Sequence, residues 1–244
     1  MNNHRALILI DHSNIPWDTI SVTDILRQWT RPMASDSATR FVMFLVVRAY
    51  GGWFDGDLTS SDRFAAATFY QDTCPALFET GKMTASVRFE FADTLSPWGV
   101  TVASRLAITH TVASRRAPGR YLLTKAATCT NAKCQLKLLR KWSRSKRACQ
   151  EPTCKMDFAD CVVRPEQKQV DVHMALDLVA AAGSGLFQSI AVASDDADLL
   201  PALAVARTRQ QPDADLALLR IAAPISYLDG RLTSLGVRLV RIRP

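Results

Sequence analysis

Apolar runs of strand length alternate along this chain with longer segments whose hydrophobic positions recur every three to four residues. The run at 5–10 ends on Asp11 and opens a turn at 12–16, so it reads as a buried strand. Residues 22–29 read as a helix and 41–49 as a second buried strand, stopped by Gly51 and Gly52. A helical reading covers 61–80 with an interruption at Pro75, and 84–93 alternates Val87, Phe89 and Phe91 with polar neighbours as a third strand. From 94 to about 165 the periodicity fades, returning only at 136–142. It then resumes as a helix at 169–182, a glycine stop at 183–185, a strand at 188–193 and a helix at 199–208. A strand at 215–221, a short helix at 225–235 and a strand at 237–242 complete the pattern. Helices alternating with strands predict an α/β fold with a mainly parallel sheet wrapped on both faces. The expected organisation is one body formed by 1–93 and 166–244, interrupted by a small insertion at 94–165.

Composition agrees with a globular α/β protein. The 244 residues are 48% hydrophobic and 22% charged, enough for one sizeable core plus an insertion. The longest apolar runs are strand-sized and the amino terminus leads straight into one of them, so neither a membrane span nor a signal peptide is expected. The expected location is cytoplasmic, where thiols stay reduced. The net charge of +7 is unevenly spread: 94–150 holds twelve Lys or Arg and no acid, leaving 18 basic against 23 acidic side chains elsewhere. An acidic body with one strongly basic module suits a polyanionic partner, nucleic acid above all; the alternative is a merely solubilising insertion.

Three acidic clusters mark candidate chemistry. Asp11 stands where the first strand leaves the sheet, and Asn14 can ligate through its amide oxygen or donate to a phosphate or to Asp11. Helix capping by Ser13 or Asn14 is the bland alternative. The strand at 190–193 ends in Ser194-Asp195-Asp196-Ala197-Asp198, three carboxylates that repel one another without a counter-cation. Neighbours in an extended segment face opposite ways, which favours Asp196 and Asp198 as ligands with Ser194 assisting. Capping is again the alternative for Asp198. Asp171 begins the helix after Lys168-Gln169-Val170; Asp177 lies about 120° further round it, as a supporting group or an ordinary helix acid. Lys168 can touch the substrate backbone or simply be solvated. Carboxylates gathered at one sheet edge can hold divalent metal against a phosphate, which predicts a metal-dependent nuclease.

Together LILIDHSNI, the K-x-V-D-x-x-x-A-L-D helix and VASDDADLLPAL resemble the NYN domain, a branch of the PIN-like nucleases, over residues 5–93 and 166–244. RAYGGWF at 48–54 is similar to a segment found in some members. The resemblance implies a Rossmann-like, three-layer PIN fold and cleavage of RNA, less often DNA, dependent on Mg²⁺ or Mn²⁺. It also implies metal ligation by Asp11, Asp171, Asp196 and Asp198, with Asn14 as the first-motif asparagine. The chain departs from the family in carrying Asp195 where glycine is usual and Ala197 where serine is frequent.

The insertion carries a second signal. Cys129 and Cys134, then Cys149 and Cys154, form two pairs of equal spacing, which predicts a structural Zn²⁺ site of four thiolates. Cys161 is a substitute ligand, Cys74 reads as core, and a disulfide or packed thiols are the alternatives. Between the pairs, Arg140, Lys141 and Arg144 belong to a basic face suited to phosphate contact, and Trp142 is either module core or a stacking platform.

The expected reaction is phosphodiester hydrolysis by one or two metal ions, with Lys168 near the developing charge. No histidine is required; of the four, only His12 stands close enough to Asp11 in sequence for an auxiliary role. Two other functions fit the same residues. One is a catalytically inactive nucleic-acid-binding protein working through the zinc module. The other is a Mg²⁺-dependent phosphatase, against which stands the absence of a D-x-D-x-T motif after the first strand.

Overall fold

A computed structural model describes residues 4–36, 40–55, 58–93, 110–114, 122–123, 162–221 and 227–243. The chain separates into two compact units, Met1–His110 with Lys168–Pro244, and Thr111–Gln167.

The larger unit is a seven-stranded sheet built from β1 (His4–Asp11), β2 (Phe41–Tyr50), β5 (Leu77–Thr80), β6 (Met83–Phe91), β10 (Ser189–Ala193), β11 (Asp215–Arg220) and β12 (Arg238–Arg241). Two short strands, β3 (Phe54–Asp55) and β4 (Leu58–Thr59), pair antiparallel. In the sheet the order is β12-β11-β10-β1-β2-β6-β5, and every pairing is parallel except β5 with β6. The smaller unit contains most of β7 (His110–Ser114), all of β8 (Leu122–Leu123) and most of β9 (Val162–Lys168); β8 pairs antiparallel with β9.

Helices cover both faces. Ala6, Ile8 and Ile10 of β1 join Val22, Ile25, Leu26 and Trp29 of α1 (Val22–Asp36) and Ala66 and Tyr70 of α2 (Ser61–Thr73) in one core. Leu7 and Leu9, facing the other way, join Met174 and Leu178 of α3 (Val170–Ser184), Leu203 of α4 (Leu200–Arg209) and Leu232 of α5 (Tyr227–Ser234). The two-residue period of the central strand thus feeds two cores, as a sheet buried on both sides requires. This is a Rossmann-like three-layer architecture with a largely parallel sheet.

Two local expectations are corrected. The helical reading of 61–80 fails beyond Thr73: Cys74 N–H closes the last turn on the Tyr70 carbonyl, Pro75 has no N–H to continue it, and Leu77–Thr80 is strand β5. The first helix runs seven residues past Trp29 despite Pro32, because Met33 and Ala34 continue its buried stripe.

The chain leaves β1 towards β2 and β6 on one side, whereas β10, β11 and β12 lie on the other. The direction reverses between β1 and β10. Crossovers of one hand running in opposite directions place their helices on opposite faces, which opens a crevice beyond the carboxyl ends of these two strands.

Candidate active site at the carboxyl edge of the sheet

Asp11 and the segment 194–198 come together at that crevice. Asp11 is 1% exposed and its Oδ2 accepts from Asn14 Nδ2 at 2.6 Å and from Ser194 Oγ at 2.8 Å. Ser194 Oγ in turn accepts from the Asp196 N–H at 3.0 Å, and Asp196 Oδ1 accepts from the Asp198 N–H at 2.8 Å. One chain of hydrogen bonds therefore links the ends of β1 and β10. No side-chain cap satisfies the start of α4, so Asp198 is not spent on capping that helix.

Asp171 reaches the same edge on the first turn of α3. Gln169, at φ 67°, makes the sharp joint before the helix; a left-handed non-glycine residue costs on the order of 1 kcal/mol, which the packing of α3 must offset. Burial and then the charges of Asp11, Asp196 and Asp198 push the Asp171 carboxyl up to about 6. Burial also raises Asp11, with Asp196 adding to it, against the lowering effect of its bonds from Asn14 and Ser194. Asp171 thus lies within electrostatic reach of the other three acids, and Asp11 within reach of Asp196. Among the described residues, however, no three His, Cys, Asp or Glu side chains are grouped tightly enough to ring one ion as they stand.

Other acids of the three clusters have structural partners. Asp195 Oδ1 accepts from the Ile221 N–H at 2.8 Å, stitching the loop to the end of β11. Asp177 is 2% exposed and accepts on Oδ2 from Arg48 Nε at 2.9 Å and from the Tyr50 hydroxyl at 2.6 Å; Arg48 also meets Glu90 at 2.7 Å. Asp177 therefore anchors α3 to β2 and keeps the helix that presents Asp171 in place. His12 packs among Trp17, Trp53, Phe69 and Tyr70, 3.3 Å from the Tyr70 hydroxyl, and burial lowers it to about 4. It is a half-buried ring, neutral at neutral pH.

The sequence reading missed Arg220. This residue is 3% exposed and pairs with buried Asp229 at 2.7 Å, while its Nη1 donates to the Ser194 carbonyl at 3.0 Å and the Asp196 carbonyl at 3.2 Å. It pins the acidic loop from behind. The available signal was its place directly after Leu216-Ala217-Leu218-Leu219, the same strand-end position that Asp11 occupies.

Lys168 ends β9, just before the Gln169 joint, and its side chain lies outside the described ones. Cys129, Cys134, Cys149, Cys154 and Cys161, with Arg140, Lys141, Trp142 and Arg144, lie outside the described residues. Cys74 packs against the core and burial pushes its thiol up to about 11, so it is inert at neutral pH. Among the described residues no helix is long and apolar enough to cross a membrane. Comparison with protein-family models, curated proteins and solved structures finds no match to this chain.

Proposed function

We propose that this edge is the active centre of a metal-dependent nuclease of PIN/NYN type, acting on RNA in preference to DNA. The observation that carries the reading is the gathering of Asp11, Asp171, Asp196 and Asp198 at the switch point of a parallel sheet, where, on top of burial, the other three raise the Asp171 carboxyl and Asp196 raises Asp11. An all-oxygen anionic donor set fits a hard divalent cation, Mg²⁺ or Mn²⁺, and such a cation relieves the repulsion. The ion supplies neutralising charge to phosphate oxygens and a more acidic water. The chain supplies placement. Asn14 and Ser194 fix the Asp11 carboxylate from two sides, and Arg220 fixes the carbonyls of Ser194 and Asp196. Asp171, with its carboxyl near 6, sheds its proton close to neutrality and becomes available as a ligand there. Lys168 and the basic residues Arg140, Lys141 and Arg144 are the proposed backbone contacts, and Cys129, Cys134, Cys149 and Cys154 the proposed Zn²⁺ ligands.

A second reading, a binding protein that grips nucleic acid without cutting it, draws on the separation of the four acids as they stand. One experiment separates the two. Labelled RNA and DNA are incubated with the wild type and with Asp196→Asn, with Mn²⁺ or with none added, beside thermal melts of both proteins. The nuclease reading expects Mn²⁺-dependent cleavage by the wild type. It expects a loss of about 10²–10³-fold in the folded variant, the scale on which one preorganised charge-stabilising group acts. Undiminished cleavage by folded Asp196→Asn removes Asp196 from the mechanism, and binding without cleavage by the wild type selects the second reading.

A further inference from the structure

The helix that presents Asp171 is apolar on every side. α3 reads VDVHMALDLVAAAGS and contains no Lys, Arg or Glu. Of its polar side chains, His173 and Asp177 are buried, and Asp171 belongs to the acidic edge. Its inner face packs on the sheet through Val170, Met174, Leu178 and Ala181. The outer face carries Val172 and Leu176, which are 59% and 51% exposed, with Val179 half-buried and Gly183 exposed. A helix without a polar side is ordinarily covered all round, and a contiguous exposed apolar face marks an interaction surface. The neighbouring helix continues this face. α4 runs in the same direction as α3, since each returns from the carboxyl edge of the sheet to the amino end of the next parallel strand. A Cβ on Gly183 would lie 3.9 Å from the Arg209 side chain, which fixes the register of the two helices. One turn back along both, Val205, 46% exposed, stands beside Val179.

The spacing along this face selects its occupant. Val172, Leu176, Val179 and Gly183 follow one another at intervals of four, three and four residues, the spacing with which one helix packs along another. Two copies of α3 placed antiparallel, about a twofold axis level with Asp177 and Leu178, set Leu176 against Val179 and Val172 against Gly183. Each contact then joins a larger residue to a smaller one. The charges agree with this direction and oppose the parallel one. Asp171 stands on the first turn of α3 and Asp198 just before α4, while exposed Arg209 ends α4 beside Gly183. An antiparallel pair brings each Arg209 to the acidic end of the other copy. A parallel pair sets acid against acid and arginine against arginine.

We propose that α3 and α4 form the contact surface for a second copy of this chain, packed antiparallel across a twofold axis so that Arg209 of each copy faces the acidic edge of the other. The inference stands on the helix faces and not on the nuclease reading, and its test involves no cleavage. Sedimentation velocity on the full chain, across a concentration series reaching about 100 μM, reads the mass and the dissociation constant. Wild type should approach twice the mass of one chain. Leu176→Glu sets two carboxylates close to the axis and should sediment as a single chain throughout, while keeping a cooperative thermal melt because the side chain is exposed in the monomer. Val205→Glu should do the same, which keeps the test usable if Leu176→Glu misfolds. Phe64→Glu changes a comparably exposed apolar residue on α2, across the sheet, and should leave the dimer as it is. Arg209→Glu should weaken the dimer about tenfold at low salt, and at about 1 M salt, where the Debye length is about 3 Å, the difference should nearly vanish. Arg31→Glu, the same change on α1, should have little effect. A wild type that stays a single chain, or a dimer that folded Leu176→Glu and Val205→Glu leave intact, overturns the surface. A dimer broken by Leu176→Glu yet indifferent to Arg209→Glu overturns the antiparallel arrangement.

Discussion

Asp171→Asn removes one charge from the acidic edge at almost constant volume, and its effect on stability depends on pH in a way the structure fixes. Burial, together with Asp11, Asp196 and Asp198, raises the carboxyl from 3.8 to about 6 in the folded chain. Below about pH 3 the group is protonated whether folded or not, so aspartic acid and asparagine are equivalent there. As pH rises through 4 to 6 the unfolded state releases its proton first, and the wild type loses stability that the variant keeps. About two pH units correspond to an upper limit of roughly 3 kcal/mol. The side chain is only partly buried, and solvent screening cuts that roughly in half. The helix amino terminus favours the charge by about 0.5 kcal/mol, leaving a net gain of about 1 kcal/mol for the variant above pH 7. In a chain of this size that raises Tm by about 2–4 °C. Manganese should reverse the order: a ligand at a hundred times its Kd stabilises the wild type by about 2.7 kcal/mol, and the variant, missing one ligand charge, gains less. Melts at pH 4 and pH 7.5, with and without Mn²⁺, decide the matter. A variant less stable than wild type at pH 7.5 without metal, or a difference equal at both pH values, would refute the argument from repulsion.

Two other outcomes test the supports of the site. Arg220→Met should destabilise by about 3–5 kcal/mol in urea unfolding, since Asp229 stays buried without its guanidinium, and adding Asp229→Leu should restore part of the loss; strictly additive losses would show that the pair is not coupled. Elemental analysis should find about one zinc per chain, absent from Cys134→Ser, and zinc-free wild-type protein purified without chelator would end the thiolate reading.

The parts of the fold legible in the sequence were those written locally. β1 and β10 contain apolar runs, 6–10 and 190–193, that lead into acidic segments, so the strands and the places where Asp11 and Asp196 emerge from them are legible from local pattern. β5 was not legible in this way. Its four residues follow a helix and precede a turn, and only pairing with β6 makes them a strand. The helix read over 22–29 runs on through Pro32 to Asp36, because packing of Met33 and Ala34 holds a helix that local propensity would end.

Partners distant in sequence set the limit for the site. Asp177 reads as an ordinary helix acid until Arg48 and Tyr50, 129 and 127 residues away, are seen to hold it. Asp195 reads as one more acid of the cluster until its partner, the backbone of Ile221 26 residues on, is seen. That bond ties the loop after β10 to the end of β11. Arg220, one residue before Ile221, grips the same loop through two carbonyls. Both contacts hold 194–196 against β11, which leaves Asp196 as the acid of this loop that is electrostatically coupled to Asp11. Asp195 and Arg220 therefore brace the loop after β10 together from its β11 side, one through a side-chain carboxylate and the other through a guanidinium.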